Sequence, residues 1–221
     1  MDGTVRLWIV GAGGHAKVIA DLARACGLRP IGAVELRPDP LGRVAEPGGT
    51  RVRASQADLL AHVERHGALP DDGEAVVVAV GDNRARLQVH RALASAPRPA
   101  LVHPAAIVSP SAAIGGGTVV LAGAVINADA RLGEAVIVNS RAVVEHDCRL
   151  GDGVHVSPGA VLCGGVDVDE GAWIGAGSTV IPRVRVGAGA IVGAGAVILR
   201  DVPPGATVIG NPGRVLRAPG R

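Results

Sequence analysis

The sequence predicts two units built on different rules: an α/β segment over residues 1–97 and a parallel β-helix over residues 98–221. Three observations predict this. Residues 5–95 alternate strand-like and helix-like apolar patterns. From Val102 onward, a six-residue period runs without a break. The 221 residues include two Trp, no Phe and no Tyr, although 48% are hydrophobic. The core must therefore be built from Val, Ile, Leu and Ala through many small, regular contacts, which favours a repetitive architecture.

In the first unit, Val5–Val10 reads as a short strand ending in Gly11-Ala12-Gly13-Gly14-His15. A helix follows over 15–26, with Val18, Ile19, Leu22 and Ala25 at helical spacing and Gly27 as its stop. Pro30–Val34 fits a second strand. Ser55 is placed to cap a helix through Val63, whose apolar face is Leu59, Leu60 and Val63. Ala75–Val80 reads as a third strand and Asn83–Ala94 as a third helix, which completes a small parallel sheet with helices on its faces. Ser95–Ala100 reads as the linker. The first turn fits G-x-G-x-x-(G/A) through Gly11, Gly13 and Ala16, and Glu35 lies about 20 residues on, where an acid holds a ribose hydroxyl. Backbone N–H groups at a helix start hold any diphosphate, so the loop suits a nucleotide sugar as well as NAD.

In the second unit, stepping by six from Val102 to Ile198 meets Val, Ile or Leu at all seventeen positions, although these residues fill only 33 of the 100 positions in 101–200. The positions two earlier, Ala106 to Ala196, are all Ala, Thr, Cys, Ser or Val. Such a phase signals stacked coils around an aliphatic column. No long loop is expected to protrude, and Pro203-Pro204-Gly205 ends the repeat. The recurring pattern, as in Leu150-Gly151-Asp152-Gly153-Val154-His155, resembles the hexapeptide-repeat acyltransferases. That resemblance implies a left-handed, triangular coil of three hexads and assembly into a homotrimer.

With three hexads per coil, residues 18 apart lie one above the other at a strand spacing of about 4.8 Å. His146 then lies beneath Gly164, His155 beneath Trp173 and Asn139 beneath Ser157, while Cys148 takes a small inward position. Glu145, His146 and Asp147 are left on the outer surface. An imidazole takes a proton near neutral pH, and an adjacent carboxylate fixes its tautomer and raises its basicity. By spacing alone, the same residues also fit a solvated acid-histidine-acid cluster.

Composition excludes several classes. The chain is 19% charged with 33 glycines, too apolar and too weakly charged for disorder. Its 22 basic and 20 acidic residues give a net charge of +2 without long runs of one sign. Neither a basic stripe nor an aromatic stacking platform is present, so no nucleic-acid partner is expected. No stretch of 18 apolar residues occurs, so no membrane span is expected. The opening residues lack a secretory leader's features. Cys26, Cys148 and Cys163 have no metal-ligand spacing and fit a reducing cytoplasm without disulfides or a bound metal.

Taken together, the two halves resemble the bacterial nucleotide-sugar N-acetyltransferases and the related sialic-acid O-acetyltransferases. The resemblance spans nearly the whole chain: the Gly-Gly-His loop, Val80-Gly81-Asp82-Asn83 and the repeat with Glu145-His146-Asp147-Cys148. It implies a half-Rossmann-like nucleotide-sugar-binding domain, then an acyltransferase β-helix with a short tail. Within it, His146 is the general base and Asp147 its support, standing where many relatives have Glu. His155 contacts the acetyl-CoA thioester region and Gly164 presents an oxyanion N–H. Ala176 and Ala194 line the pantetheine channel, and Arg214 or Arg217 meets coenzyme A phosphates. Gly13, Gly14, His15, Glu35 and Gly81 hold the sugar nucleotide, while Asn139 positions the sugar. Leu36 breaks the acidic pair of relatives at 35–36.

The expected activity is acetyl-CoA-dependent N-acetylation of an amino sugar carried on UDP, GDP or dTDP. Sugar O-acetylation, an NAD-binding oxidoreductase and a non-catalytic accessory protein are the alternatives.

Overall fold

The computed structural model describes residues 5–35, 52–71 and 73–217. The chain divides into two compact units, Met1–Leu101 and Val102–Arg221. In the first, β1 (Arg6–Val10), β2 (Arg29–Glu35), β3 (Val52–Ser55) and β4 (Glu74–Val78) form one parallel sheet in the order β3-β2-β1-β4. The helices are α1 (Gly14–Ala25), α2 (Gln56–His66) and α3 (Asn83–Ala92). β4 is buried at every position.

Three details depart from the local sequence reading. The strand β3 was not expected. Val52-Arg53-Ala54-Ser55 is too short and polar to carry a pattern, and its pairing with Ala33–Glu35 at the sheet edge makes it a strand. The buried stripe of α1 is Ala16, Ile19, Ala20, Leu22 and Ala23, while Val18 is 43% exposed. Small Ala side chains let the helix lie close to the sheet, which turns Val18 outward. The expected linker is partly fastened down: Ala96 is buried, and the Val76 N–H donates to the Pro97 carbonyl at 2.9 Å.

The helix α2 begins as its sequence requires. Ser55 Oγ accepts from the Asp58 N–H at 3.1 Å, and the Asp58 carboxylate accepts from the Ser55 N–H at 3.3 Å. Gly67 closes it with φ +67°.

The second unit is a stack of coils, each made of three two-residue strands. Successive coils pair in parallel register, each residue with its counterpart three hexads away: Ile137 with Val119 and His155, Val143 with Val125 and Val161, Arg131 with Ala113 and Arg149. No loop interrupts residues 101–198. Inside, the column from Val120 to Val208 is nearly closed to solvent. The polar members at small inward positions are satisfied: Thr118 Oγ1 donates to the Gly133 carbonyl at 2.8 Å and Ser178 Oγ to the Gly175 carbonyl at 2.7 Å. Near the end the spacing shortens, so that Val186 pairs with Val202 and Ile191 with Thr207. Thr207–Ile209 then pairs antiparallel with Arg214–Arg217.

At one position in each hexad from Gly117 to Gly195, the turn takes a left-handed conformation. Glycine fills most of these positions, but Asp129, Ala135, Arg141, Asp147 and Arg183 also adopt it, with φ between 52° and 63°. At Gly177, φ is +64° and an added Cβ meets nothing within 4 Å. The substitution Gly177→Ala is therefore expected to cost about 1–2 kcal/mol from backbone conformation alone. Urea unfolding of the variant checks this.

Candidate functional site

Two features, one in each unit, are candidates for the chemistry: a cleft in the first and an exposed corner of the coil in the second. In the first unit the chain passes from β1 outward to β2 and β3, then returns to place β4 on the other side of β1. Loops at the carboxyl ends of strands part at such a switch point and leave a crevice. A cleft of about 1050 Å³ lies there, lined by Gly11–His15, Ala79–Asp82, Gln56 and Gln88 among others. Gly11 is held at φ +125°, and a Cβ there would sit 2.7 Å from the Ala79 carbonyl oxygen, so the two loops meet only through glycine. Gly13, Gly14 and Gly81 differ, since an added Cβ at any of them meets nothing within 4 Å. Their bare backbone opens onto the cleft rather than onto protein.

Beneath this floor lies a cation that the sequence reading did not single out. Arg86 is 1% exposed and donates to the carbonyls of Val80 at 3.0 Å and Gly81 at 3.2 Å, and to Asn83 Oδ1 at 2.9 Å. Burial lowers its pKa to about 10, opposed by the Asp82 carboxylate, so it remains charged at neutral pH. His15 has its Nε2 buried without a protein partner, and its pKa is lowered to about 4 by burial and then by the Arg86 charge. The only sequence signal for Arg86 is its place three residues after Asn83 on the helix that follows the Gly81 turn. Glu35 ends β2, whose register pairs Val34 with Val10, so its backbone lies at the same carboxyl edge as Gly11. Leu36 lies outside the described residues.

In the second unit, His146 and Asp147 occupy one corner of the coil. His146 Nδ1 and Asp147 Oδ2 are 2.7 Å apart, and both side chains are exposed, at 62% and 67%. The Asp147 hydrogen bond raises the His146 pKa above its ordinary value, with further support from the charges of Asp147 and Glu145. Asp147 is held at φ +60°, a conformation its short polar side chain tolerates. Gly164 lies one coil above, and a Cβ there would sit 2.5 Å from His146 Nε2. A side chain here would displace the exposed His146 ring. The Gly164 N–H donates to no group among the described residues. Cys148, directly after this corner, is fully buried, donates to the Cys163 carbonyl at 3.3 Å and has its thiol pKa raised to about 11 by burial. It is core packing, not a nucleophile.

His155 and Asn139 belong to a neighbouring strand and corner. The His155 ring stacks on Trp173 with centroids 5.8 Å apart and planes 4° from parallel. Asn139 Nδ2 lies 3.2 Å from His155 Nε2, and Trp173 Nε1 donates to Ser157 Oγ at 2.8 Å. Ala176 and Ala194 are exposed at the turns one and two coils above Ser157 and Pro158. Arg214 is exposed, donates to its neighbour's Gly213 carbonyl at 3.0 Å, and lines a separate cavity of about 490 Å³ with Val202 and Pro212. The Arg217 backbone ends the last strand. Among the described residues, no group of three or more His, Cys, Asp or Glu is placed to hold a metal.

NMR titration is expected to separate two of these histidines. His15 should titrate near pH 4 and His146 above 6.5, with Asp147→Asn lowering the latter. The folded value of His15 lies below that of the unfolded chain, which takes up a proton that the folded chain refuses. Its contribution to stability is therefore complete above pH 6.5 and declines as pH falls toward 4.

Comparison with known proteins identifies both units. The PglD N-terminal domain family matches residues 6–93, and the bacterial transferase hexapeptide (six repeats) matches residues 129–164 and 165–200. A single-residue variant of perosamine N-acetyltransferase from Caulobacter crescentus, solved with CoA and GDP-perosamine, is 40% identical. The alignment covers 96% of this chain and 97% of that one, with a TM-score of 0.85. The acetyltransferase domain of PglB from Neisseria gonorrhoeae, solved with acetyl coenzyme A, is 42% identical over 96% of this chain and all of that one, with a TM-score of 0.85. WeeI from Acinetobacter baumannii is 25% identical over 96% of this chain and all of that one, with a TM-score of 0.77. No curated protein matches the chain. With both domains matched in order and two solved relatives at least 40% identical over nearly their whole length, the chain belongs to the hexapeptide-repeat sugar N-acetyltransferases with a PglD-type N-terminal domain.

Proposed function

We propose that the chain transfers the acetyl group of acetyl-CoA to the amino group of a nucleotide-linked amino sugar, with His146 as general base. The observation that carries the catalytic assignment is the direction of the imidazole. Its Nδ1 is bonded to Asp147, which leaves Nε2 as the free base nitrogen, facing Gly164. The amine nitrogen attacks the thioester carbonyl carbon, and His146 Nε2 takes the proton that the nitrogen gives up. The unpartnered Gly164 N–H is suited to receive the negative charge that develops on the carbonyl oxygen. The C–S bond then breaks and coenzyme A leaves as the thiolate, which takes up a proton from His146 or water. No covalent enzyme intermediate is needed, consistent with the buried, protonated Cys148.

The switch-point cleft is the site for the nucleotide diphosphate, over the backbone of Gly13, Gly14 and Gly81, with His15 at its floor and Glu35 along its edge. Among the described residues the sheet has four strands, against the six of a full dinucleotide fold, which favours one nucleotide over NAD. Arg214, Ala176 and Ala194 are assigned to the acyl donor. The domain limits of 1–97 and 98–221 give each half one substrate.

A homotrimer in the cytoplasm is part of this reading. Two outward faces of the coil carry apolar residues, including Ile107 at 68%, Trp173 at 46% and Ile191 at 41% exposure. The third carries Arg131, Arg149, Asp167 and Arg185, all exposed. Apolar faces of this extent suit burial against further copies. Among the described residues, no helix is long and apolar enough to cross a membrane. Sedimentation is expected to give a species of three times the 22.0 kDa chain mass, and a species of one chain mass would oppose the trimer.

The reaction is tested by thiol release from acetyl-CoA with UDP-, GDP- and dTDP-linked amino sugars, followed by product mass. One added acetyl group is expected on a single acceptor, with His146→Ala slower by about 10²- to 10⁴-fold. The base acts unprotonated, so the rate rises with pH through the raised His146 value. Asp147→Asn lowers that value, so the acid limb moves to lower pH while the maximal rate falls.

A further inference from the structure

We infer that Asn139 is a positioning residue for His155: its amide holds the imidazole as the neutral Nδ1–H tautomer, leaving proton transfer at this site to His146. The Ser140 N–H donates to Asn139 Oδ1 at 2.8 Å, which identifies the oxygen end of the amide. The nitrogen end therefore faces His155 Nε2 at 3.2 Å. An amide nitrogen only donates, so Nε2 must accept with its lone pair, and the ring proton of the neutral imidazole sits on Nδ1. Protonating Nε2 would set two N–H donors against each other.

The coil above repeats the diagonal with the donor reversed. Trp173 Nε1 donates to Ser157 Oγ across the same sequence spacing that joins Asn139 to His155. Ser157 is 4% exposed, so the indole is anchored at its polar end while its flat face covers the imidazole. His155 is thus held in plane by Trp173 and met at Nε2 by Asn139, while its Nδ1 is buried and reaches no hydrogen-bond partner among the described residues. With Oδ1 turned to Ser140 and one amide proton turned to His155, Asn139 serves the histidine rather than the sugar.

The inference bears on the acetyl-transfer reading by assigning proton transfer to His146 alone, but its test needs no substrate. Imidazole ¹⁵N spectra of the full-length protein at neutral pH report the tautomer of each histidine directly. In the wild type, His155 is expected to show a protonated Nδ1 and an unprotonated Nε2. Asn139→Ala should release it toward the Nε2–H form that free imidazole side chains prefer. Asn139→Asp, with an acceptor in place of the donor, should put a proton on Nε2. A wild-type His155 that carries its proton on Nε2, or a tautomer unchanged in Asn139→Ala, would overturn the inference. Kinetics supply a second readout: a large rise in the KM for the amino sugar in Asn139→Ala, with an unchanged tautomer, would make Asn139 a sugar ligand and overturn the inference.

Discussion

The structure of the second unit depends on one constraint: every coil must pair its backbone, in fixed register, with the coil above. Main-chain N–H and C=O groups cannot be left unpaired inside a protein, and here the ladder between coils satisfies them. The closed column of aliphatic side chains follows, because only residues of limited volume fit where three short strands converge. The left-handed turns follow as well, since each coil must bend three times before it returns to the same face. Function inherits this geometry. The stacking places Gly164 over His146, and no loop is needed to bring them together.

The electrostatics show one side chain in contrasting environments. His146 stands in solvent beside a carboxylate, so its charged form is favoured. His15 is buried close to the Arg86 guanidinium, so its charged form is strongly disfavoured, with a pKa of about 4. His155 lies against the Asn139 amide and the Trp173 indole. The difference lies in solvent access and in the neighbour, not in the imidazole. Asp147 contributes twice, since it takes a turn conformation that glycine fills elsewhere and from there reaches His146.

In the first unit, the equivalent organising contact is the approach of Gly11 to Ala79 at the point where the sheet order reverses. Two loops from neighbouring strands are brought edge to edge, and their remaining glycines face open space. The buried Arg86 ties down one of these loops through its carbonyls. A charge in such a position must be hydrogen-bonded to be tolerated. Its proximity supplies positive potential to the cleft.

The amino-acid sequence by itself determined the architecture of this protein and the corner with His146 and Asp147. A period of six is read directly from residue types, and stacking every third hexad turns linear spacing into vertical neighbours, so the placement of His146 beneath Gly164 follows by counting. Ser55 was likewise legible as a cap, because capping is local. Strand β3 was not legible, since so short a segment carries no pattern and only the sheet edge recruits it. Nor were the rotation of α1, the burial of Arg86 or the bond between Asn139 and His155. Each depends on where a side chain points once distant segments have packed, and on how much water that packing excludes. Periodicity records which residues share a face. Only the tertiary structure decided which polar atoms on that face were already taken.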